Sequence, residues 1–236
     1  MVFGGIQKFT LLDYPDKTAC TLFTIGCNFR CPFCHNASLV KYSGTPLQIE
    51  EAEILDFLET RKGLLDGVCI SGGEPLSGND DAQDELGNFI AKIKTMGFLV
   101  KLDTNGSYPA GLKKLISSGN IDYIAMDIKN SPGEYALTVG VRDFEISPVI
   151  ESMDILRRGN VPYEFRTTVV RDFHTYEDLL EITKWISGTE KYFLQRFIDS
   201  KTVLHRGLRE YSDTEIHQFV QKLKQIHPFV ELRGIS

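Results

Sequence analysis

Long apolar runs are missing from this sequence. No segment approaches the roughly 20 consecutive apolar residues that a membrane-spanning helix needs. The first ten residues, MVFGGIQKFT, lack the charged start and apolar stretch of a secretion signal. These two absences predict a soluble, cytoplasmic protein that has no membrane partner.

Basic residues are scarce and scattered. The 236 residues include 26 Lys and Arg against 32 Asp and Glu, which gives a formal charge of −6. Basic residues cluster only in short pairs such as Lys113-Lys114. Because binding to phosphates needs a concentrated basic face, the charge pattern predicts no nucleic-acid partner.

Short apolar, β-rich segments alternate with amphipathic helical segments. Strands are predicted at residues 18–25, 67–71, 98–103, 123–127, 163–170 and 192–195. Helices are predicted at residues 49–62, 82–96, 109–117, 149–158, 176–186 and 213–226, the last capped by Ser212 or Asp213. This alternation predicts an α/β fold with parallel strands, either an open doubly wound sheet or an incomplete barrel.

Internal repeats and low-complexity segments are absent as well. Residues 131–133 and 142–148 contain Pro and Gly and are predicted to form long loops rather than linkers between domains. We therefore predict that the whole chain, residues 1–236, is a single domain.

Cysteine is sparse, yet three of the five cysteines lie within eight residues. Cys27, Cys31 and Cys34 follow the first predicted strand, and soft thiolates suit iron–sulfur clusters or zinc. Three ligands leave one coordination position open, whereas a structural zinc site closes with a fourth ligand. His35 is poorly placed for that role, because it directly follows Cys34. An open iron site is favoured, and zinc is the alternative.

The remaining cysteines and histidines show no ligand spacing. Cys20 and Cys69 are each isolated in an apolar strand and are predicted to be small buried residues. Four histidines are predicted to lie at the surface or in loops: His174, His205, His217 and His227.

Polar residues gather where the predicted strands end, the edge at which α/β proteins build their sites. After the second strand, Gly72 and Gly73 permit close backbone approach, and Pro75 biases Glu74 toward an extended conformation. A carboxylate there can accept hydrogen bonds from an ammonium group. A simple tight turn is the alternative.

Similar residues follow the next two strands. Asp103, Thr104 and Asn105 end the third strand, and Asp127 and Lys129 lie at the end of the fourth. The alternatives to a binding role are turn formation for the first group and an exposed ion pair for the second.

The three cysteines resemble a known signature. Their Cys-x3-Cys-x2-Cys spacing, with the aromatic Phe33 before the last cysteine, is similar to that of the radical S-adenosylmethionine (SAM) enzymes. The resemblance implies a partial (β/α)6 TIM-like barrel of the radical SAM type. It also implies that Cys27, Cys31 and Cys34 bind a 4Fe–4S cluster whose fourth iron binds SAM. Phe33 would then lie by the adenine, although simple packing also explains it.

The same resemblance assigns the polar residues at the strand ends to SAM. Gly72, Gly73 and Glu74 would hold the methionine amino group. Further residues implied to bind the cofactor near its ribose and carboxylate are Asp103, Thr104, Asn105, Asp127 and Lys129. Three of these, Asp103, Thr104 and Asp127, are also implied to coordinate a monovalent cation.

Arg166 lies inside the predicted strand 163–170. A buried arginine needs an anion, and a carboxylate is its natural partner. We favour the methionine carboxylate of SAM as this anion over an internal Asp or Glu.

Longer stretches resemble one branch of the family, the activating proteins of anaerobic ribonucleoside-triphosphate reductase. The matching stretches are residues 5–15, 31–36, 63–67, 101–106, 122–129 and 166–168, with weaker likeness at residues 194–197 and 231–234. Pyruvate formate-lyase activases carry a late histidine where this chain reads Gln195-Arg196-Phe197, which also favours the reductase branch. The resemblance implies a partner glycyl-radical enzyme, most simply an anaerobic ribonucleotide reductase, and a flavodoxin- or ferredoxin-type electron donor.

Two other functions fit the same residues. One is a radical SAM enzyme that acts on a small molecule, as carboxy-deazaguanine synthases do. The other is a non-catalytic iron–sulfur or zinc module.

Overall fold

A computed structural model describes residues 1–40 and 48–234 of the chain. Within these residues the strands are β1 (Val2–Thr10), β2 (Ala19–Thr24), β3 (Ile49–Glu50), β4 (Gly67–Gly72), β5 (Leu99–Thr104), β6 (Tyr123–Asp127), β7 (Tyr163–Val169), β8 (Tyr192–Arg196) and β9 (Val230–Arg233). The helices are α1 (Ala37–Val40), α2 (Glu51–Glu59), α3 (Asp80–Thr95), α4 (Pro109–Ser117), α5 (Tyr135–Val139), α6 (Ser147–Arg158), α7 (Tyr176–Trp185) and α8 (Asp213–Leu223). In the part of the chain that the structure describes, every helix is too short or too polar to span a bilayer.

The chain divides into two compact units. The first unit consists of Met1–Asn28, Ser38–Ala125 and Pro148–Pro162. The second consists of Phe29–Ala37, Met126–Ser147 and Tyr163–Ser236, so the boundary falls within β6. The predicted single domain over residues 1–236 stays a prediction, and it includes residues 41–47 and 235–236, which lie outside the described residues.

The first unit is built on strands in the order β3-β1-β2-β4-β5. Strand β1 is antiparallel to β2 and β3, whereas β2, β4 and β5 are mutually parallel. Helix α3 begins after Asn79, whose side chain accepts a hydrogen bond from the Ala82 N–H group at 3.1 Å. Its apolar face is buried, and the Phe89 ring packs 4.9 Å from that of Phe3 in β1. Burial of such side chains, each contributing about 1.5–3 kcal/mol, holds the helix in place.

The second unit contains the parallel strands β7, β8 and β9. Ser212 caps helix α8: its Oγ atom accepts the Glu215 N–H group, while the Glu215 carboxylate accepts the Ser212 N–H group at 2.9 Å. This capping box confirms the helix start predicted at residue 213 and identifies Ser212, one of the two predicted candidates, as the cap.

The six predicted strands correspond to β2, β4, β5, β6, β7 and β8, and each strand end lies within one residue of its prediction. The prediction missed β1, β3, β9, α1 and α5, which are short or, in β1, interrupted by Gly4-Gly5. Residues 147 and 148 were predicted as loop but begin α6, because Pro148 is favourable in a first helical turn. The alternation of strands and helices with parallel pairing confirms the predicted α/β class.

Candidate functional site

The loop after β4 lies unusually close to the chain that follows β2. Gly73 donates its N–H group to the Thr24 carbonyl at 3.1 Å, and Glu74 donates to the Gly26 carbonyl at 2.8 Å. Gly72 has a φ of +129°, which disfavours any side chain. A Cβ atom added to Gly73 would overlap the Gly26 carbonyl oxygen. The paired glycines are therefore required by this close approach.

Glu74 is the acceptor at the centre of the first unit's polar cluster. Its side chain is 1% exposed, and one carboxylate oxygen accepts hydrogen bonds from Thr104 Oγ1 at 2.8 Å and Leu76 N–H at 3.2 Å. The other oxygen accepts the Asn105 N–H group at 2.6 Å. Buried carboxylates need such partners. The contacts join the ends of β4 and β5, as predicted for residues at one edge of a parallel sheet.

Asn105 extends this cluster to the first cysteine. Its amide nitrogen donates to Asn28 Oδ1 at 3.0 Å and lies 3.9 Å from Cys27 Sγ. Its amide oxygen accepts the Ser107 N–H group at 2.9 Å, and Asn28 donates to Ser107 Oγ at 2.9 Å. A polar donor thus faces the Cys27 sulfur, an arrangement that tunes sulfur ligands in iron–sulfur proteins.

Asn28 and Ser107 were missed by the sequence reasoning. Both are residue types that occur commonly in turns, so their sequence positions carried no sign of a contact with the cysteine loop.

Lys101 was missed as well. Its side chain is fully buried, and its ammonium group pairs with the Asp103 carboxylate and lies 3.8 Å from Cys69 Sγ. Lys101 and Asp103 are two residues apart on β5 and therefore share one face of the strand. A charged residue inside an otherwise apolar strand was the available signal.

In the second unit, the loop that carries Cys31 and Cys34 is held by backbone hydrogen bonds. Cys34 N–H donates to the Cys31 carbonyl at 3.0 Å, forming a turn. The carbonyls of Cys34 and Pro32 accept N–H groups of Leu204 and His205 at 2.9 and 2.8 Å. Main-chain atoms make these three contacts, so they would persist if a thiol group were removed.

Phe33 is 4% exposed and packs against Phe173 and His174, with ring centroids 5.7 and 6.2 Å away.

His174 lies in a loop, as predicted, but it is buried, and burial lowers its pKa below the usual value. Its Nδ1 atom accepts the Val170 N–H group at 3.1 Å, so Nε2 carries the proton and donates to the Lys129 carbonyl at 2.8 Å. A neutral histidine therefore fixes the backbone at Lys129.

The remaining histidines lie at the surface or in a loop, as predicted. His205 and His217 are exposed, whereas His227 is a buried loop residue. Cys20 and Cys69 are fully buried, which confirms their prediction as small buried residues.

Asp127 at the end of β6 pairs with two cations. Its two oxygens contact Lys129 Nζ at 2.9 Å and Arg166 Nε at 3.0 Å. Burial raises the pKa of Asp127, but the charges of Arg166 and Lys129 outweigh burial and lower this pKa to about 2. Burial lowers the pKa of Lys129, and the charges of Asp127 and Cys31 outweigh it and raise this pKa. The internal partner considered as the alternative for Arg166 is therefore present.

The structure places Cys27 in the first unit, and Cys31 and Cys34 in the second. Among the described residues, no three His, Cys, Asp or Glu side chains are arranged around one metal-ion position. A 4Fe–4S cluster takes each cysteine at a different iron, so its ligands do not converge on one point. His35, considered as a fourth zinc ligand, has its Nδ1 atom 3.3 Å from Ser200 Oγ. The three-cysteine cluster stays a prediction from the sequence.

The residues present fit an iron–sulfur cluster with a bound cofactor. The donor set consists of soft thiolates, and the Asn105 amide nitrogen lies 3.9 Å from Cys27 Sγ. Gly73 packs against Gly26, the residue that precedes Cys27, and Glu74 donates its N–H group to the Gly26 carbonyl. The loop that carries Glu74 is therefore hydrogen-bonded to the start of the cysteine loop.

Comparisons with known proteins agree with this chemistry. The sequence profile of the radical SAM superfamily matches residues 21–186, more than half of the chain. A Methanocaldococcus jannaschii protein assigned as a glycyl-radical enzyme activating enzyme is 34% identical over 198 residues, which cover 82% of this chain and 79% of that protein. The pyruvate formate-lyase-activating enzyme of Listeria monocytogenes serovar 1/2a is 29% identical over 158 residues, covering 63% of this chain and 61% of that enzyme.

A solved structure shows the fold. Streptococcus suis SuiB bound to S-adenosylmethionine superimposes with a TM-score of 0.70 at 13% identity, covering 90% of this chain and 49% of that chain. This likeness confirms the predicted fold class, an α/β partial TIM-like barrel of the radical SAM type. The profile match includes Cys27, Cys31, Cys34 and Glu74. The chain belongs to the radical SAM superfamily.

Proposed function

We propose that the chain is an activase that cleaves SAM reductively at a 4Fe–4S cluster and generates a glycyl radical on a partner enzyme. The observation that carries this proposal is the similarity to the assigned glycyl-radical enzyme activating enzyme, which extends over 82% of the chain. The similarity to the pyruvate formate-lyase-activating enzyme supports the same reaction class.

The cluster would be held by Cys27, Cys31 and Cys34, with one iron left open for SAM. When bound, the cluster and SAM supply a one-electron reduction that breaks a carbon–sulfur bond and makes a hydrogen-abstracting carbon radical. The protein's task is then to orient SAM and to exclude water. The backbone contacts of Cys34 with Leu204 hold the cysteine loop for this task.

The residues around the cluster would orient SAM. Glu74 would present a buried negative charge to the methionine amino group. Gly72 and Gly73, which allow the close approach to residues 23–26, would place the loop that carries Glu74. Phe33 would lie by the adenine. The residues proposed for the ribose and carboxylate of SAM are Asp103, Thr104, Asn105, Asp127, Lys129 and Arg166, the last sharing its charge with Asp127.

We propose anaerobic ribonucleotide reductase as the partner, and a flavodoxin- or ferredoxin-type protein as the electron donor. Support comes from the matching stretches in residues 5–168 and from Gln195-Arg196-Phe197 in place of a late histidine. Phe197 is fully buried and Arg196 pairs with Glu210 at 3.0 Å, so these residues also serve the packing of the second unit.

The deciding experiment mixes the anaerobically reconstituted, reduced enzyme and SAM with an anaerobic ribonucleotide reductase. We expect a glycyl-radical doublet by electron paramagnetic resonance (EPR) and one 5′-deoxyadenosine per radical. A reductase whose radical-site glycine is replaced by alanine is the matched control and should give no doublet.

The other outcomes separate the alternatives. A doublet on pyruvate formate-lyase but not on the reductase would show that the protein is an activase whose partner is not the reductase. Formation of 5′-deoxyadenosine without a doublet on either partner would favour a small-molecule substrate. A cluster that reduces but never yields 5′-deoxyadenosine would rule out the enzymatic proposal.

Glu74→Gln is expected to weaken SAM binding by about tenfold or more, because it removes the charge that attracts the amino group. The new amide would also turn a donor toward Thr104 Oγ1 or the Asn105 N–H group, both of which donate to Glu74. Equilibrium dialysis of SAM against reconstituted enzyme measures the effect. Glu59→Gln, in an exposed pair with Lys62, is the matched control and should bind SAM normally. Equal SAM affinities of Glu74→Gln and Glu59→Gln would show that the Glu74 carboxylate does not contribute to SAM binding.

A further inference from the structure

Lys101 is a fully buried lysine in the middle of β5. Removing an ammonium group from water costs several kcal/mol unless an anion compensates it. Its compensating anion is Asp103, with which Lys101 Nζ makes a close ion pair.

The geometry of β5 and β4 determines from which side Lys101 approaches Asp103. Lys101 and Asp103 lie on one face of β5, and on β4 the residue in register with Lys101 is Cys69, whose sulfur lies 3.8 Å from the ammonium group. The lysine side chain is fully buried, whereas 14% of the aspartate side chain is exposed. The ammonium group therefore approaches from the protein interior, and the carboxylate reaches toward the end of the strand.

Asp103 is also one of the carboxylates that the family resemblance assigns to a monovalent cation. A cation bound there would share one carboxylate with an ammonium group already in contact, and like charges repel at such distances. The same arrangement recurs at Asp127, which contacts Lys129 and Arg166. Each carboxylate thus has a positive group tethered to the chain, and the residues present do not fit an additional cation.

We propose that Lys101 supplies the positive charge at Asp103 that a monovalent cation would otherwise provide, so that SAM binding is independent of potassium. Lys101 is a positioning residue: it acts through Asp103, whose carboxylate it holds in place. The inference rests on the proposed SAM site, because Asp103 matters to the cofactor only if SAM binds beside it.

The test compares potassium with tetramethylammonium, an ion too large for such a site, at equal ionic strength. The thermal unfolding midpoint and the SAM dissociation constant of reconstituted enzyme are measured in both salts. Neither quantity should differ between the salts in the wild-type enzyme.

Lys101→Met keeps most of the side-chain volume and leaves Asp103 without its ammonium partner. In tetramethylammonium we expect its midpoint to fall by at least about 5 °C and SAM affinity to fall by about tenfold. Potassium should restore a large part of both, since it can now occupy the position of the ammonium group. A merely structural lysine would give the losses without this potassium rescue.

Two further variants test whether the potassium response arises at Asp103. Lys101→Met combined with Asp103→Asn removes both charges and should lose the potassium response. Lys94→Met breaks a partly buried pair with Asp122 in the same unit and should show no potassium response.

Potassium that raises the midpoint of the wild-type enzyme would overturn the proposal, and this measurement needs no variant to fold. Absence of potassium rescue in Lys101→Met would overturn it as well. Failure of the wild-type enzyme to bind SAM would count against the proposed function, while the unfolding midpoints would still decide the role of Lys101.

Discussion

Replacing Cys31 with alanine is expected to abolish cluster binding and to reduce SAM cleavage to below about one thousandth of the wild-type rate. The thiolate is the proposed ligand of one iron, and a cluster held by two cysteines is not retained. The turn itself should survive, because the Cys31 carbonyl, not its side chain, accepts the Cys34 N–H group. Iron content, the EPR spectrum of the reduced protein and 5′-deoxyadenosine formation measure the loss.

Cys20→Ala is the matched control. Cys20 is fully buried in β2, and burial in apolar surroundings raises the pKa of its thiol to about 12, so it stays protonated. We expect normal iron content and cleavage, with a stability loss of about 1 kcal/mol from the small cavity. Full iron loading in Cys31→Ala, or zinc in place of iron in the wild-type protein, would contradict the proposal that Cys31 binds a 4Fe–4S cluster.

The strand ends show what the sequence could predict. Glu74, Thr104 and Asn105 were each singled out by position after a strand, and they meet because parallel strands end at one edge. Their mutual hydrogen bonds could not be predicted, since either a ligand or a neighbour can satisfy a polar side chain.

Arg166 illustrates the same limit. Its place in an apolar strand predicted that it needs an anion, but not which anion. The partner found, Asp127, is 39 residues away in the sequence, and only the pairing of strand neighbours brings the two together. Lys101 was harder to find, because a lysine within a strand is usually exposed at an edge, and its burial depends on neighbours that the local pattern does not show.

Gly73→Ala is expected to lower both cluster loading and SAM affinity by about tenfold or more and to cost about 1–3 kcal/mol of folding stability. Gly73 does not have a positive φ, so the expected effect comes from steric overlap and not from a left-handed backbone. The added Cβ atom would overlap the Gly26 carbonyl oxygen and lie 3.3 Å from Cys27 Cβ. No side-chain rotation relieves a clash with backbone. The loop must move away, breaking the Glu74 N–H bond to Gly26.

Gly133→Ala provides the comparison for this variant. A Cβ atom at Gly133 meets nothing within 4 Å, so the substitution should leave cluster loading and SAM affinity unchanged. It should also stabilise the fold by about 0.4–1 kcal/mol, because alanine restricts the unfolded chain. Urea unfolding, iron content and equilibrium dialysis of both variants separate the two expected effects. If Gly73→Ala matched Gly133→Ala in iron content and SAM affinity, the close approach of the loop to Gly26 would not be needed to position Cys27 and Glu74. The paired glycines would then be a turn and nothing more, the alternative that the sequence left open.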